Sequence, residues 1–253
     1  MRRTKIAWVR NPDGTQGYTW NPVTGCLHGC EYCYANSMLN PFKGSPLKRK
    51  FIEDASVEQV IDGHVEEFIL DEQPGFVPTF WPSKLGDPLG FRKPSTIFVC
   101  SMADLFGAWV PDRWIEQILE VVKACPQHTF LFLTKNPNRY ESYMIPSNSW
   151  IGYTETGKKD DSFSFRGNGW FYLSAEPLLG DIYIEKNLKW VIIGSLNQNG
   201  RPVHPDKGGT RREWVVFLLR ESDKYKIPVF IKPELYELYP DLPLRLELPY
   251  AKT

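Results

Sequence analysis

From Thr96 onward, short apolar runs alternate with segments of helical periodicity. Thr96-Ile97-Phe98-Val99-Cys100-Ser101 has the length and character of a buried strand. Pro111 to Ala124 then reads as a helix with Pro111 near its first turn. Thr129 to Thr134 repeats the strand signal, with Asn138 to Met144 as a short helix behind it. Trp150 to Thr154, Gly169 to Ser174, Lys189 to Gly194 and Pro228 to Ile231 supply four more strands. Arg211 to Lys224, carrying Trp214, Val215, Phe217, Leu218 and Leu219, supplies a further helix. Continuous apolar strands alternating with helices argue for a parallel sheet covered on its outer face. The expected fold class is therefore α/β, a partial (β/α)6-type barrel with parallel strands. Closure of the sheet stays open, because Glu155 to Asn168 is too irregular for a full helical connection.

The N-terminal part is less regular. Lys5 to Val9 and Tyr18 to Asn21 bracket Asn11-Pro12-Asp13-Gly14, a strong turn signal. Trp20 to Val23 forms a short first strand, and a helix is expected over Tyr34 to Leu39, ending before Pro41. Lys43-Gly44-Ser45-Pro46-Leu47-Lys48-Arg49-Lys50-Phe51 is basic. Ser56 to Leu70 reads as an amphipathic helix capped by Ser56, with Val57, Val60, Ile61, Val65, Phe68 and Ile69 at helical spacing. Pro74 to Pro94 is rich in Pro, Gly and aromatic residues and looks like an insertion over one end of the domain. The whole chain is expected to form a single domain, with an insertion at about 41–95 between the first and second strands.

Composition narrows the function classes. A chain of 253 residues that is 42% hydrophobic can bury a substantial core. Thirty basic and thirty acidic residues cancel, so no global field holds a polyanion, and a bound nucleic acid must meet a local patch. No run approaches about 18 apolar residues, and Met1-Arg2-Arg3-Thr4-Lys5 lacks the apolar core of a signal peptide. The expectation is a cytoplasmic protein without membrane contact, in a compartment that keeps thiols reduced.

Against that background, Cys26, Cys30 and Cys33 stand out within eight residues at C-x3-C-x2-C spacing, with Gly25 and Gly29 letting the loop bend. Three is an odd number for disulfides. A mononuclear zinc wants four ligands, usually from two separated pairs, although His28 inside the loop is a candidate fourth. A four-iron cluster on three cysteines leaves one iron open to a substrate or cofactor. Cys100 and Cys125 lie in apolar segments and read as small core residues.

In parallel α/β sheets, ligands gather beyond the carboxyl ends of the strands. Those ends carry the cysteine loop, Ser101 and Asp104, Thr134 and Lys135, Thr154 and Glu155, Ser174 and Glu176, Ser195 and Asn197, and Lys232. Glu176 is expected to meet Lys135 or Lys232, either as a buried ion pair or as catalytic groups. His204, in the rigid loop Arg201-Pro202-Val203-His204-Pro205-Asp206, is a candidate for proton donation or substrate binding. Arg211 and Arg212 open a helix that can hold an anion.

The cysteine spacing resembles that of the radical S-adenosylmethionine superfamily. More narrowly, Thr19-Trp20-Asn21-Pro22-Val23-Thr24-Gly25-Cys26 and Gly29-Cys30-x-x-Cys33-Tyr34-Ala35 are similar to a phage-associated family of unknown function with a three-cysteine motif. Val99 to Phe106, Pro126 to Pro137, Ser174 to Gly180, Trp190 to Gly194 and Arg201 to Asp206 extend the likeness. The resemblance implies a [4Fe–4S] cluster held by Cys26, Cys30 and Cys33, with S-adenosyl-L-methionine chelating the fourth iron. An electron then cleaves a carbon–sulfur bond of the cofactor, and the 5′-deoxyadenosyl radical abstracts hydrogen from a substrate. It also implies that Tyr32 faces the adenine and Asp104 accepts from the cofactor amino group. Ser101, Lys135, Thr154 and Ser174 complete the expected cofactor contacts, with Glu176, His204 and Lys232 as expected catalytic residues.

Three function classes follow. The first is a radical enzyme, needing a reductant for its cluster and acting on a nucleic-acid base by modification or repair. The second is a nucleic-acid-binding component whose cluster is structural or redox-sensing. Its basis is the Lys43 to Phe51 stretch, Lys158, Lys159 and the Arg211-Arg212 pair. The third is an iron–sulfur or zinc interaction module beside a partner protein encoded nearby, as the family resemblance implies.

Overall fold

The computed structural model describes residues 1–39, 55–61, 63–70, 76–158, 169–198 and 200–249. It has two compact units, Met1–Thr4 with Gly17–Ser149, and Lys5–Gln16 with Trp150–Thr253. Lys43 to Phe51 and Lys159 lie outside the described residues, as does most of the irregular connection after Glu155.

The first unit contains β1 (Arg2–Arg3), β2 (Tyr18–Trp20), β3 (Val23–Thr24), α1 (Tyr34–Leu39), β4 (Ala55–Ile61), β5 (His64–Leu70), β6 (Thr79–Phe80), α2 (Pro82–Leu85), β7 (Thr96–Val99), α3 (Asp112–Ala124) and β8 (Thr129–Thr134). Its main strands run in the order β1-β2-β7-β8, with β2, β7 and β8 parallel and β1 antiparallel at the edge. All four residues of β7 are buried, which is why the strand reads as an unbroken apolar run. In α3, Trp114, Ile115, Ile118, Leu119 and Val122 form one apolar stripe and are all buried.

The segment expected to be an amphipathic helix is a β-hairpin. β4 and β5 pair antiparallel in unbroken register from Ala55↔Leu70 to Ile61↔His64. They belong to a four-stranded sheet of order β3-β6-β4-β5. Only two residues, Asp62-Gly63, separate the strands, and Gly63 has φ +81°. Asp-Gly is the short-loop hairpin signal, and in so short a segment it outweighs an apolar spacing that fits either element. Val57 and Gln59 are the buried alternates of β4, and Gln59 donates to Thr79 Oγ1 at 3.1 Å.

The second unit contains β9 (Ser149–Thr154), β10 (Phe171–Ala175), β11 (Trp190–Ile193), the β12 (Asn197–Gln198) and β13 (Arg201–Pro202) ribbon, α4 (Arg212–Lys224), β14 (Val229–Ile231) and α5 (Pro233–Leu238). Its strands run β9-β10-β11-β14, all parallel. Trp8 packs against Tyr172 and Trp190, with ring centroids 6.2 and 5.7 Å away. The α/β class with parallel strands is as expected. Strand order is linear in each unit, and no barrel closes among the described residues. No helix among them is long and apolar enough to cross a membrane.

Candidate functional site

The cysteine loop leaves β3 through Gly25, whose φ of +85° and close approach to the neighbouring chain both require glycine. A Cβ there would lie 2.0 Å from the Val77 carbonyl oxygen. The Gly25 N–H donates to Met102 O at 2.9 Å, and the Cys26 N–H donates to Phe76 O at 3.2 Å. Asn21 Oδ1 accepts from Ser101 Oγ at 3.1 Å and from the Met102 N–H at 3.2 Å. The Tyr34 hydroxyl, just beyond the last cysteine, donates to Ser101 O. The loop is thereby tied to the segment following β7, at the carboxyl end of the parallel strands.

Cys26, Cys30 and Cys33 are in no disulfide and are of intermediate exposure. Two of the sulfurs accept backbone hydrogen bonds, Cys26 from the His28 N–H and Cys33 from the Asn36 N–H at 3.4 Å. Burial pushes the Cys26 thiol up to about 12; the His28 N–H opposes this, while Asp104, Cys33 and Cys30 add to it. The three sulfurs thus feel one another. Even so, among the described residues no three His, Cys, Asp or Glu side chains converge where one metal ion would sit.

Asp104 is the polar hub of this site. It is 6% exposed, and both its oxygens are fully engaged. Oδ1 accepts from the Phe106 N–H at 3.1 Å and the Thr134 hydroxyl at 2.6 Å. Oδ2 accepts from the Lys135 N–H at 2.8 Å and lies 2.7 Å from His28 Nε2. The His28 ring stands edge-on to Trp109 at 4.8 Å. Lys135 Nζ lies over the Tyr32 ring, 5.5 Å from its centroid. Four lone-pair directions meeting four donors leave Asp104 as an organiser of its neighbours.

The second unit builds a separate polar row. Ala175, Ile193 and Ile231 are in register across β10, β11 and β14, so Glu176, Gly194 and Lys232 fall in the next row. Gly194 lets the outer two meet. A Cβ on it would come within 2.9 Å of Glu176 Cγ and 3.0 Å of Lys232 Cδ. The Lys232 ammonium donates to Glu176 and, at 3.0 Å, to Glu234 Oε1. Asn197 Nδ2 donates to Glu234 Oε1 at 3.2 Å, and Ser195 Oγ donates to Asn197 Oδ1 at 2.8 Å. Burial by itself would lower the Lys232 value, but Glu176 and Glu234 more than offset it and hold the ammonium charged. A cleft of about 390 Å³ lined by Asp223, Lys226, Arg245 and Glu247 opens elsewhere, beside Pro228 at the amino end of β14.

A family model matches residues 3–234 of the chain. The chain belongs to DUF5131, described as a protein of unknown function. No curated protein and no solved structure matches it. The DUF5131 assignment covers most of the polypeptide but carries no chemistry, so the function has to be read from the side chains.

Of the residues singled out in this DUF5131 chain, the first unit brings together Cys26, Cys30, Cys33, Tyr32, Ser101, Asp104 and Lys135. In the second, Glu176 and Lys232 meet directly, while Thr154 and Ser174 are register partners in β9 and β10. His204 stands apart. It is exposed and caps the turn at Pro205–Lys207, with Nδ1 accepting from the Asp206 N–H at 3.4 Å. Arg212 pairs with Asp241, and Arg211 lies over Trp214 and 3.9 Å from Glu213, so both arginines have local partners. Cys100 and Cys125 are buried, as their apolar settings implied. Sequence reasoning missed Trp109, the His28–Asp104 pair and Glu234. Only Glu234 carried a local cue, two residues past Lys232 in the first turn of a helix opened by Pro233.

Proposed function

We propose that this chain holds a [4Fe–4S] cluster on Cys26, Cys30 and Cys33, binds S-adenosyl-L-methionine beside it, and acts as a cytoplasmic radical enzyme on a nucleic-acid base. The supporting observation is a loop of three cysteines outside any disulfide at the carboxyl edge of parallel strands, two of them already receiving backbone N–H groups. Hydrogen bonds to the sulfurs are among the factors that tune iron–sulfur centres. In this reading the parallel edge is part of a (β/α)6-type partial barrel.

Bound together, the cluster and the cofactor supply one-electron cleavage of a carbon–sulfur bond, and an external reductant supplies the electron. The chain's own residues hold and shape the site. Gly25 bends the loop, Asn21 and Tyr34 tie it to the segment after β7, and Asp104 fixes the His28 ring. Tyr32, held against Lys135, offers a flat face to an adenine. Asp104 has no lone-pair direction left over, so it supports the wall of the site rather than receiving the cofactor amino group.

One observation favours a second reading, a Cys3His zinc site. Metal-ligating histidines commonly donate their other ring N–H to a carboxylate, and Asp104 stands at that position toward His28 Nε2. Anaerobic reconstitution followed by iron and sulfide analysis separates the two. Under the radical reading, the electron paramagnetic resonance spectrum shifts when S-adenosyl-L-methionine is added, and 5′-deoxyadenosine appears after reduction. A colourless protein with one tightly held zinc would overturn it.

A further inference from the structure

Glu176, Lys232 and Glu234 form a mixed-charge row in which some hydrogen-bonding capacity remains unused. Lys232 directs two of its three N–H groups to the two carboxylates. Glu234 Oε1 already accepts twice, from Lys232 and from Asn197. Among the described residues, Glu176 Oε2, Glu234 Oε2 and the third Lys232 hydrogen have no protein partner. The side chains are 29%, 19% and 17% exposed for Glu176, Glu234 and Lys232, so the row is packed yet reachable. It therefore presents acceptor, donor and acceptor at the carboxyl edge of β10, β11 and β14.

That order selects a ligand chemistry. Fully ionised phosphates and carboxylates only accept, and here they would face two carboxylates for one ammonium. A metal cation is disfavoured because the Lys232 ammonium already stands between the acidic side chains. A hydroxyl both donates and accepts, so two neighbouring hydroxyls can each donate a hydrogen bond to a carboxylate while one accepts from the ammonium. We propose that the Glu176–Lys232–Glu234 row binds a vicinal diol, the cis-2′,3′-diol of a ribonucleoside or the corresponding pair on a free sugar. The site lies wholly within the second unit and requires no cluster.

Calorimetric titration of the full chain tests this with uridine, 2′-deoxyuridine and ribose, on protein without and with reconstituted metal. Saturable binding of uridine that weakens about tenfold for 2′-deoxyuridine is expected, the loss of a hydrogen bond to a charged group. Glu176→Gln should weaken uridine by a similar factor while its urea midpoint reports folding. Binding of ribose as tight as that of uridine assigns the site to free sugars; binding of uridine alone assigns it to nucleosides. Equal affinity for uridine and 2′-deoxyuridine, or no saturable binding of any of the three, overturns the proposal without touching the cysteine site. Because the deoxy comparison needs no variant, a misfolded Glu176→Gln protein would not rescue it.

Discussion

Replacing Asp104 by Asn changes one atom at a position where four donors converge. The amide offers one oxygen where the carboxylate offered two, so its NH2 must face one pair of former donors. If it faces the Oδ1 side it meets the buried Phe106 N–H and the Thr134 hydroxyl; on the Oδ2 side it meets the Lys135 N–H and His28. Thr134 can rotate and His28 can change tautomer, but a backbone N–H can only donate. One backbone donor is therefore stranded whichever way the amide turns. A stranded buried donor costs about 1–3 kcal/mol, and the retained bonds lose the strengthening that a charged acceptor provides. Together these give an expected loss of about 2–4 kcal/mol. With a urea slope of roughly 2–3 kcal/mol/M for a chain of this size, the midpoint should fall by about 1 M. Tryptophan fluorescence reports on the first unit through Trp20, Trp81, Trp109 and Trp114. Asp112→Asn is the control, because that carboxylate is largely exposed although it pairs with Arg139 and Tyr143. A loss under about 0.5 kcal/mol for Asp104→Asn would refute the hub.

Three further perturbations follow from the same geometry. Gly25→Ala places a methyl against the Val77 carbonyl at positive φ, so it should destabilise the first unit by more than the roughly 1–2 kcal/mol of the backbone term alone and lower the iron content of the proposed cluster after reconstitution; urea unfolding and iron analysis check it. Gly194→Val should push Glu176 and Lys232 apart, lowering stability by about 1–3 kcal/mol while leaving metal retention unchanged. His128 is 1% exposed, and its Nδ1 has no hydrogen-bond partner among the described residues. Burial lowers its value, with the Pro88 and Phe91 carbonyls partly opposing. An unfolded chain takes up this proton below about pH 6.5 while the folded one resists, so His128 costs no stability above that value and an increasing amount below it. His128→Gln should flatten the decline in urea midpoint between about pH 7 and pH 5, and an unchanged slope would count against the assignment.

The sequence by itself determined the parallel α/β class, because strands buried on both faces must be apolar throughout and so announce themselves. Thr129–Thr134 and Tyr34–Leu39 stand as the local pattern placed them, and α3 and α4 begin one residue later than expected. The cysteine triplet was legible too, its members lying within eight residues of one another. Where apolar spacing was short and ambiguous the reading failed, and Ala55–Ile61 and His64–Leu70 paired as a hairpin. Only the tertiary structure decided which polar residues meet. Asp104 and His28 are 76 residues apart, and Glu176 and Lys232 are 56 apart. Strand order and register set those meetings, together with Gly194 just beyond the strand between, and no local periodicity encodes them. Side-chain direction is a short-range property of the backbone, whereas a buried carboxylate's partners depend on which strands become neighbours.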